Sequence, residues 1–145
     1  MNLICFIFSV LMNKNLINFD TFNLQTHMAK VLIIDDDPDI RTVMSMLLKK
    51  HDFEVQTASS KSDALEKINS LHPDIILMDV LLSGADGREI CRELKKDEIT
   101  QGIPIIIFSG HPSAAEKIDN YGADDFIAKP FSQELLLEKL GKHLK

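Results

Sequence analysis

The sequence predicts an α/β domain folded around a parallel β-sheet, and three observations carry that prediction. After its opening lysine KVLII at Lys30–Ile34 is apolar throughout, and IILM at Ile75–Met78 and IPIIIF at Ile103–Phe108 run without a polar side chain, which suits strands buried on both faces and not strands with one wet face. Between these runs lie segments whose apolar residues recur at helical spacing and whose ends carry capping residues. The two patterns alternate five times, with strand starts a little over twenty residues apart, the rhythm of right-handed βαβ units.

In chain order, Lys30–Ile34 is the first strand. Asp37-Pro38 then supplies an N-cap followed by proline at the first helical position. The helix that follows carries Ile40, Val43, Met44, Leu47 and Leu48 as one apolar stripe toward the sheet. Phe53–Thr57 is a second, shorter strand, and Ser59 or Ser60 caps a helix carrying Ala64, Leu65 and Ile68. The central strand, Ile75–Met78, ends on Asp79 and opens into a loop containing Ser83, Gly84, Asp86 and Gly87. A third helix runs from about Gly87 to Lys96 on Ile90, Cys91 and Leu94, and Ile103–Phe108 is a fourth strand ending on Ser109-Gly110. Pro112 and Ser113 open a fourth helix that ends near Gly122. Phe126–Ala128 is a short fifth strand, and Ser132 caps a last helix with Leu135, Leu136, Leu140 and Leu144.

Composition narrows the function. The 145 residues, 45% of them hydrophobic, make one domain with a sizeable core. A net charge of -6 with no basic stripe speaks against nucleic acid as a partner. Cys5 and Cys91 are too few and too far apart for a disulfide framework or a metal knuckle, and Cys91 reads as a small buried hydrophobe on a helix. The run Leu3–Met12 is about half the roughly 20 residues of a membrane span. Lys14 follows that run where a signal peptide would place its charge before it. Residues 1–28 are therefore expected to be an N-terminal extension, disordered or translated from an upstream start, with the folded domain at 29–145. The extension carries Lys14 and Asp20 only, so the acidity belongs to the domain.

A parallel sheet gathers all its strand ends on one edge, which is where open α/β sheets place their sites. The first strand brings Asp35, Asp36 and Asp37 there, the third Asp79, the fourth Ser109 and the fifth Lys129. Crowded carboxylates repel, and a divalent cation relieves them. Mg²⁺ favours a few carboxylates, a main-chain carbonyl and waters, and shares its shell with phosphoryl groups. A lysine and a hydroxyl opposite would hold the remaining phosphoryl oxygens. The set reads as an aspartate that accepts phosphate. Asp37 and Asp39 read as acids favoured at a helix N-terminus, Asp86 as a turn residue, His111 as a solvated loop residue, and Asp124 and Asp125 as residues that merely precede the fifth strand.

With these residues in this order, the chain from Ala29 to Lys145 resembles a receiver domain of the two-component response regulators, of the stand-alone, single-domain type. The resemblance implies a flavodoxin-like, doubly wound five-stranded sheet of order 2-1-3-4-5 flanked by five helices, with its switch point between strands one and three. It implies that Asp35, Asp36, Asp79 and the main-chain carbonyl of Leu81 hold Mg²⁺, that Asp79 is the phosphoacceptor, and that Lys129 contacts the phosphoryl group. Ser109 would follow that group, Phe126 would be the aromatic switch that turns inward, and the Lys129-Pro130 bond would be cis. The function implied is phosphorelay signalling in the cytoplasm. A histidine kinase or histidine phosphotransfer protein would donate the phosphoryl group. A downstream protein would then read the face of the fourth helix, fifth strand and fifth helix, on a monomer or a phosphorylation-dependent dimer. Such a domain assists its own phosphorylation and dephosphorylation and is no enzyme toward a separate substrate.

The chain departs from the family pattern at Ser83, where proline is usual, at Gly110, where alanine is commoner, and at Phe126, which lacks a tyrosine's hydroxyl. A rival reading is a phosphohydrolase of haloacid-dehalogenase type using Asp35 with Asp37, Ser109 and Lys129. It leaves Asp79 idle, lacks the expected Gly-Thr or Gly-Val after the second aspartate and leaves no residues for a cap. A receiver-like module that never carries phosphate would be expected to have lost one of Asp35, Asp36, Asp79, Ser109 and Lys129, and none is lost.

Overall fold

Residues 27–145 are described by the computed structural model. The expectation of a loose N-terminal extension concerns residues that lie almost wholly outside that range. The apolar runs form the strands β1 (Lys30–Ile34), β3 (Ile75–Asp79) and β4 (Ile105–Ser109), and the shorter, more polar segments form β2 (Glu54–Ala58) and β5 (Asp125–Ala128). They make one parallel five-stranded sheet in the order β2-β1-β3-β4-β5. β3 and β4 are buried at every position, as central strands between two helical layers must be, whereas the edge strand β2 exposes Glu54 and Gln56.

Among the described residues four α-helices flank the sheet: α1 (Pro38–Lys50), α2 (Lys61–Leu71), α3 (Gly87–Lys96) and α4 (Gln133–His143). Successive strand residues point to opposite faces, so each strand feeds two cores. Leu32, Ile34, Ile76, Met78, Ile105 and Ile107 pack with Ala64, Ile68, Ile90 and Leu94 on the side of α2 and α3. Val31, Ile33, Ile75, Leu77, Ile106 and Phe108 pack with Met44, Leu48, Leu136 and Leu140 on the side of α1 and α4. Each such Val, Leu, Ile, Met or Phe side chain contributes about 1.5–3 kcal/mol when fully buried. The helix starts match their capping signals. Asp37 accepts from the Asp39 and Ile40 N–H groups, Ser60 from Asp63 and Ser132 from Leu135.

Two sequence expectations are corrected. The fourth helix is not α-helical: residues 112–122 fold as two 3₁₀ turns, Pro112–Ala114 and Ile118–Tyr121, so among the described residues four α-helices flank the sheet and not five. Ala114 is buried and Ile118 half-buried, but Ser113, Ala115, Glu116 and Lys117 are exposed. The segment therefore has no continuous apolar stripe to hold an α-helix against the sheet, and Asp119, Asn120 and Tyr121 are weak helix formers. On α1, Met44 and Leu48 face the core, whereas Val43, at the margin of the stripe, is 65% exposed.

The loop after β3 closes into a two-residue antiparallel ladder, Leu81–Leu82 with Ala85–Asp86, turned by Gly84 at φ 78°. It delivers the chain directly into α3, whose first residue Gly87 presses on the end of β3. A Cβ built on Gly87 would stand 1.9 Å from the Asp79 carbonyl oxygen, a backbone atom that cannot step aside. Gly87→Ala is expected to lower stability by about 2 kcal/mol or more in urea unfolding. Gly102→Ala, where a Cβ meets nothing within 4 Å, should leave the midpoint nearly unchanged.

Candidate functional site

The carboxyl edge of the sheet gathers the residues singled out in the sequence. Asp35, just past β1, is 1% exposed. One of its carboxylate oxygens accepts the Asp37 N–H at 2.8 Å and the other accepts from Lys129 Nζ at 3.1 Å. Arg41 Nη1 donates to its carbonyl at 2.6 Å. Asp79, the last residue of β3, is 7% exposed and accepts the Val80 N–H at 2.9 Å through Oδ1, which also lies 3.4 Å from Lys129 Nζ. Asp36 is half-buried and accepts from the Ser83 hydroxyl at 2.8 Å. Carboxylate oxygens of Asp35, Asp36 and Asp79 all lie within 4.8 Å of one another.

Lys129 is therefore shared by two buried carboxylates. Its ammonium sits 4.5 Å from the centre of the Phe108 ring, whose face favours a cation, and its N–H donates to the Ser109 carbonyl at 2.8 Å. The Lys129-Pro130 bond is cis. Ser109 is 2% exposed, and its hydroxyl oxygen accepts the His111 N–H at 3.1 Å. Strand register places Phe108 opposite Asp79 and Ser109 opposite Ala128, which brings the β3, β4 and β5 ends level. Phe126 is half-buried against the core on the α2 and α3 side. Leu81 is 56% exposed. The ladder bond from Gly87 N–H to the Val80 carbonyl makes Leu81 and Asp86 the non-hydrogen-bonded pair, so the Leu81 carbonyl is not consumed by the ladder.

The electrostatics are those of a site with an excess of negative charge. Burial pushes the Asp79 carboxyl pKa above its ordinary 3.8; Lys129 opposes the shift and the charge on Asp35 reinforces it. Three convergent oxygen donors with one ammonium for company fit a hard divalent cation such as Mg²⁺. The aspartates read as structural are so. Asp37 caps α1, and Asp86 caps α3 and is gripped by Arg88, which holds its carboxyl below the usual range. Asp37 thus spends its carboxylate on the helix while Asp79 joins the cluster, the reverse of what the dehalogenase reading requires. His111 is an exposed loop residue, and burial pushes the Cys91 thiol up to about 11, which leaves it inert.

Sequence reasoning missed three contributors to the site and one ion-paired anchor at the far end of β5. Phe108 read only as a strand residue and Gly87 only as a helix start. Ser83 appeared as a substitution in a turn, with no sign that its hydroxyl reaches a carboxylate 47 residues away. Asp125 appeared to do no more than precede β5. Burial opposes its ionisation, but hydrogen bonds from Lys139 at 2.6 Å and from His143 at 2.8 Å outweigh that and hold its carboxyl well below the usual range.

The model of the response regulator receiver domain family matches residues 31–141, and the chain belongs to that family. A Chloroflexus aurantiacus protein described as a response regulator superposes with a TM-score of 0.76 at 31% identity, covering 80% of this chain and 97% of that one. The Vibrio cholerae chemotaxis protein CheY4 gives 0.75 at 31% identity over 81% and 99% of the two chains. The Thermotoga maritima response regulator TrrA, in complex with Mg²⁺ and beryllium fluoride, gives 0.74 at 28% identity over 81% and 100%.

Because the raised Asp79 pKa makes the folded state take up a proton before the unfolded chain does, the penalty on the ionised group is full at neutral pH and fades as pH falls toward 3.8. Asp79→Asn is therefore expected to raise stability in EDTA at pH 7 by about 1 kcal/mol, with Lys129 keeping Asp35 as partner, and the gain should shrink toward pH 4. Added Mg²⁺ should stabilise the wild type by mass action and the variant much less. Urea midpoints across pH, with and without Mg²⁺, measure both effects.

Proposed function

We propose that this domain carries a signal by Mg²⁺-dependent acceptance of a phosphoryl group on Asp79. The observation that carries the reading is a buried Asp79 whose nearest cation, Lys129, is shared with a second buried carboxylate, beside the half-buried Asp36. Asp35, Asp36, Asp79 and the Leu81 carbonyl would hold the metal, which supplies charge neutralisation for the phosphoryl oxygens when bound.

Asp79 Oδ1 is engaged by the Val80 N–H, which fixes the carboxylate's rotation and leaves Oδ2 to attack phosphorus. The Oδ2–P bond forms as the donor's P–N bond breaks, and the electron pair returns to the donor imidazole. Lys129, anchored on Asp35 and over the Phe108 ring, meets the incoming phosphoryl oxygens without reorganising. The roughly two charges the group adds draw the Ser109 hydroxyl from the His111 N–H toward it. Space vacated beside β5 is then open to Phe126, and the face from Ser113 to Leu144 changes for a downstream partner.

The donor would be a histidine kinase or a histidine phosphotransfer protein. An apolar cleft of about 470 Å³ between Ile40, Val43 and Leu47 of α1 and Pro130-Phe131 adjoins Lys129 and suits the apolar side of such a donor. Among the described residues no helix is long and apolar enough to cross a membrane, and the reading places the domain in the cytoplasm as a phosphoacceptor without a separate substrate, either monomeric or dimerising on phosphorylation.

Acetyl phosphate with Mg²⁺ is expected to add one labile phosphate, seen by mass spectrometry and absent in Asp79→Asn; an unmodified wild type would overturn the reading. Beryllofluoride with Mg²⁺ is expected to shift NMR signals across residues 113–144 of the wild type. In Phe126→Ala the shifts should stay near Asp35, Asp79 and Ser109, since the acceptor is intact and the moving side chain is gone.

A further inference from the structure

Asp35 is held at both carboxylate oxygens and Asp79 at one by its own backbone, but Asp36 has a different kind of support. Among the described residues its one hydrogen-bond partner is the Ser83 hydroxyl, 2.8 Å from Oδ2 and 47 residues along the chain. Asp36 is also the most exposed of the three carboxylates, so nothing in the core immobilises it. Ser83 stands in the turn that returns the loop carrying Leu81, across the strand end from β1.

We infer that Ser83 is a positioning residue for the metal site, holding Asp36 Oδ2 so that Oδ1 faces the cation shared with Asp35 and Asp79. The inference rests on the Mg²⁺ reading of that cluster. Hydrogen bonds to ligating carboxylates orient them, and their loss typically weakens metal affinity 10–100-fold; an exposed bond belongs at the lower end. The same bond fastens the Leu81 loop to the end of β1 before any cation arrives, so two sides of the site are held at their working separation.

The turn geometry supplies a clean control. Gly84 has φ 78° and Ser83 has a negative φ, the arrangement that accepts proline at the first central position of a type II turn. Ser83→Pro therefore keeps the turn and removes the hydroxyl, Ser83→Ala removes it alone, and Ser83→Thr keeps it. Mg²⁺ dissociation constants from NMR titration of the four proteins, together with urea midpoints in EDTA, decide the matter. The expected result is about tenfold weaker Mg²⁺ binding in both Ser83→Ala and Ser83→Pro, near wild-type binding in Ser83→Thr, and little change in midpoint. Wild-type affinity in Ser83→Ala or Ser83→Pro, or a Thr variant as weak as Ala, overturns the inference while leaving the metal reading intact. Asp36→Asn separates the two: if it binds Mg²⁺ as the wild type does, or the wild type does not bind, the metal reading itself fails and the inference with it.

Discussion

Two buried carboxylates compete for one ammonium at the edge of this sheet, and the other features of the site follow from that imbalance. Asp35 and Asp79 are each almost wholly withdrawn from water, and Lys129 lies within 3.4 Å of both. Burying unpaired charge is among the most expensive things a fold can do. The arrangement survives because backbone N–H groups from Asp37 and Val80 solvate the carboxylates, Phe108 shelters the cation, and Asp36 remains partly in water. What is left over is an attraction for positive charge that a divalent cation can satisfy.

The scaffold holds this tension without yielding. Strand ends that are level to within a residue, two cores locking β3 and β4 from both faces, and α3 driven against the Asp79 carbonyl at Gly87 leave the carboxylate no room to retreat. A strand exposed on one face could relax outward and hydrate its terminal acid. One closed in by Ile76 and Met78 on one side and Ile75 and Leu77 on the other has no such exit.

Most of this was legible because it rests on patterns with short periods. The runs at Lys30–Ile34 and Ile75–Met78 announce buried strands, and a parallel sheet must bring their ends together, so Asp35, Asp36, Asp79, Ser109 and Lys129 could be assembled from topology alone. The first, second and last helices begin where Asp37, Ser60 and Ser132 predict. The segment after Ser109 misled because Pro112-Ser113 is a good helix start, whereas continuation depends on an apolar stripe, and Ala114 and Ile118 are too little of one. The grip on Asp125 by Lys139 and His143, the Ser83 hydroxyl on Asp36 and the Phe108 ring under Lys129 join residues with no periodic relation. Only the folded chain brings them together.

The 3₁₀ character of residues 112–121 bears on how quiet such a switch can be. An α-helix locked to the sheet would have to be unpacked before the face could change, setting a wide gap between resting and signalling conformers. Two short turns anchored mainly through Ala114 and Ile118 set a narrow one. A gap of a few kcal/mol puts about 0.1–10% of molecules in the minor state. On the proposed function, a domain built this way would trade silence for responsiveness: a modest chemical input would tip it, and its output without stimulus would stand correspondingly above zero.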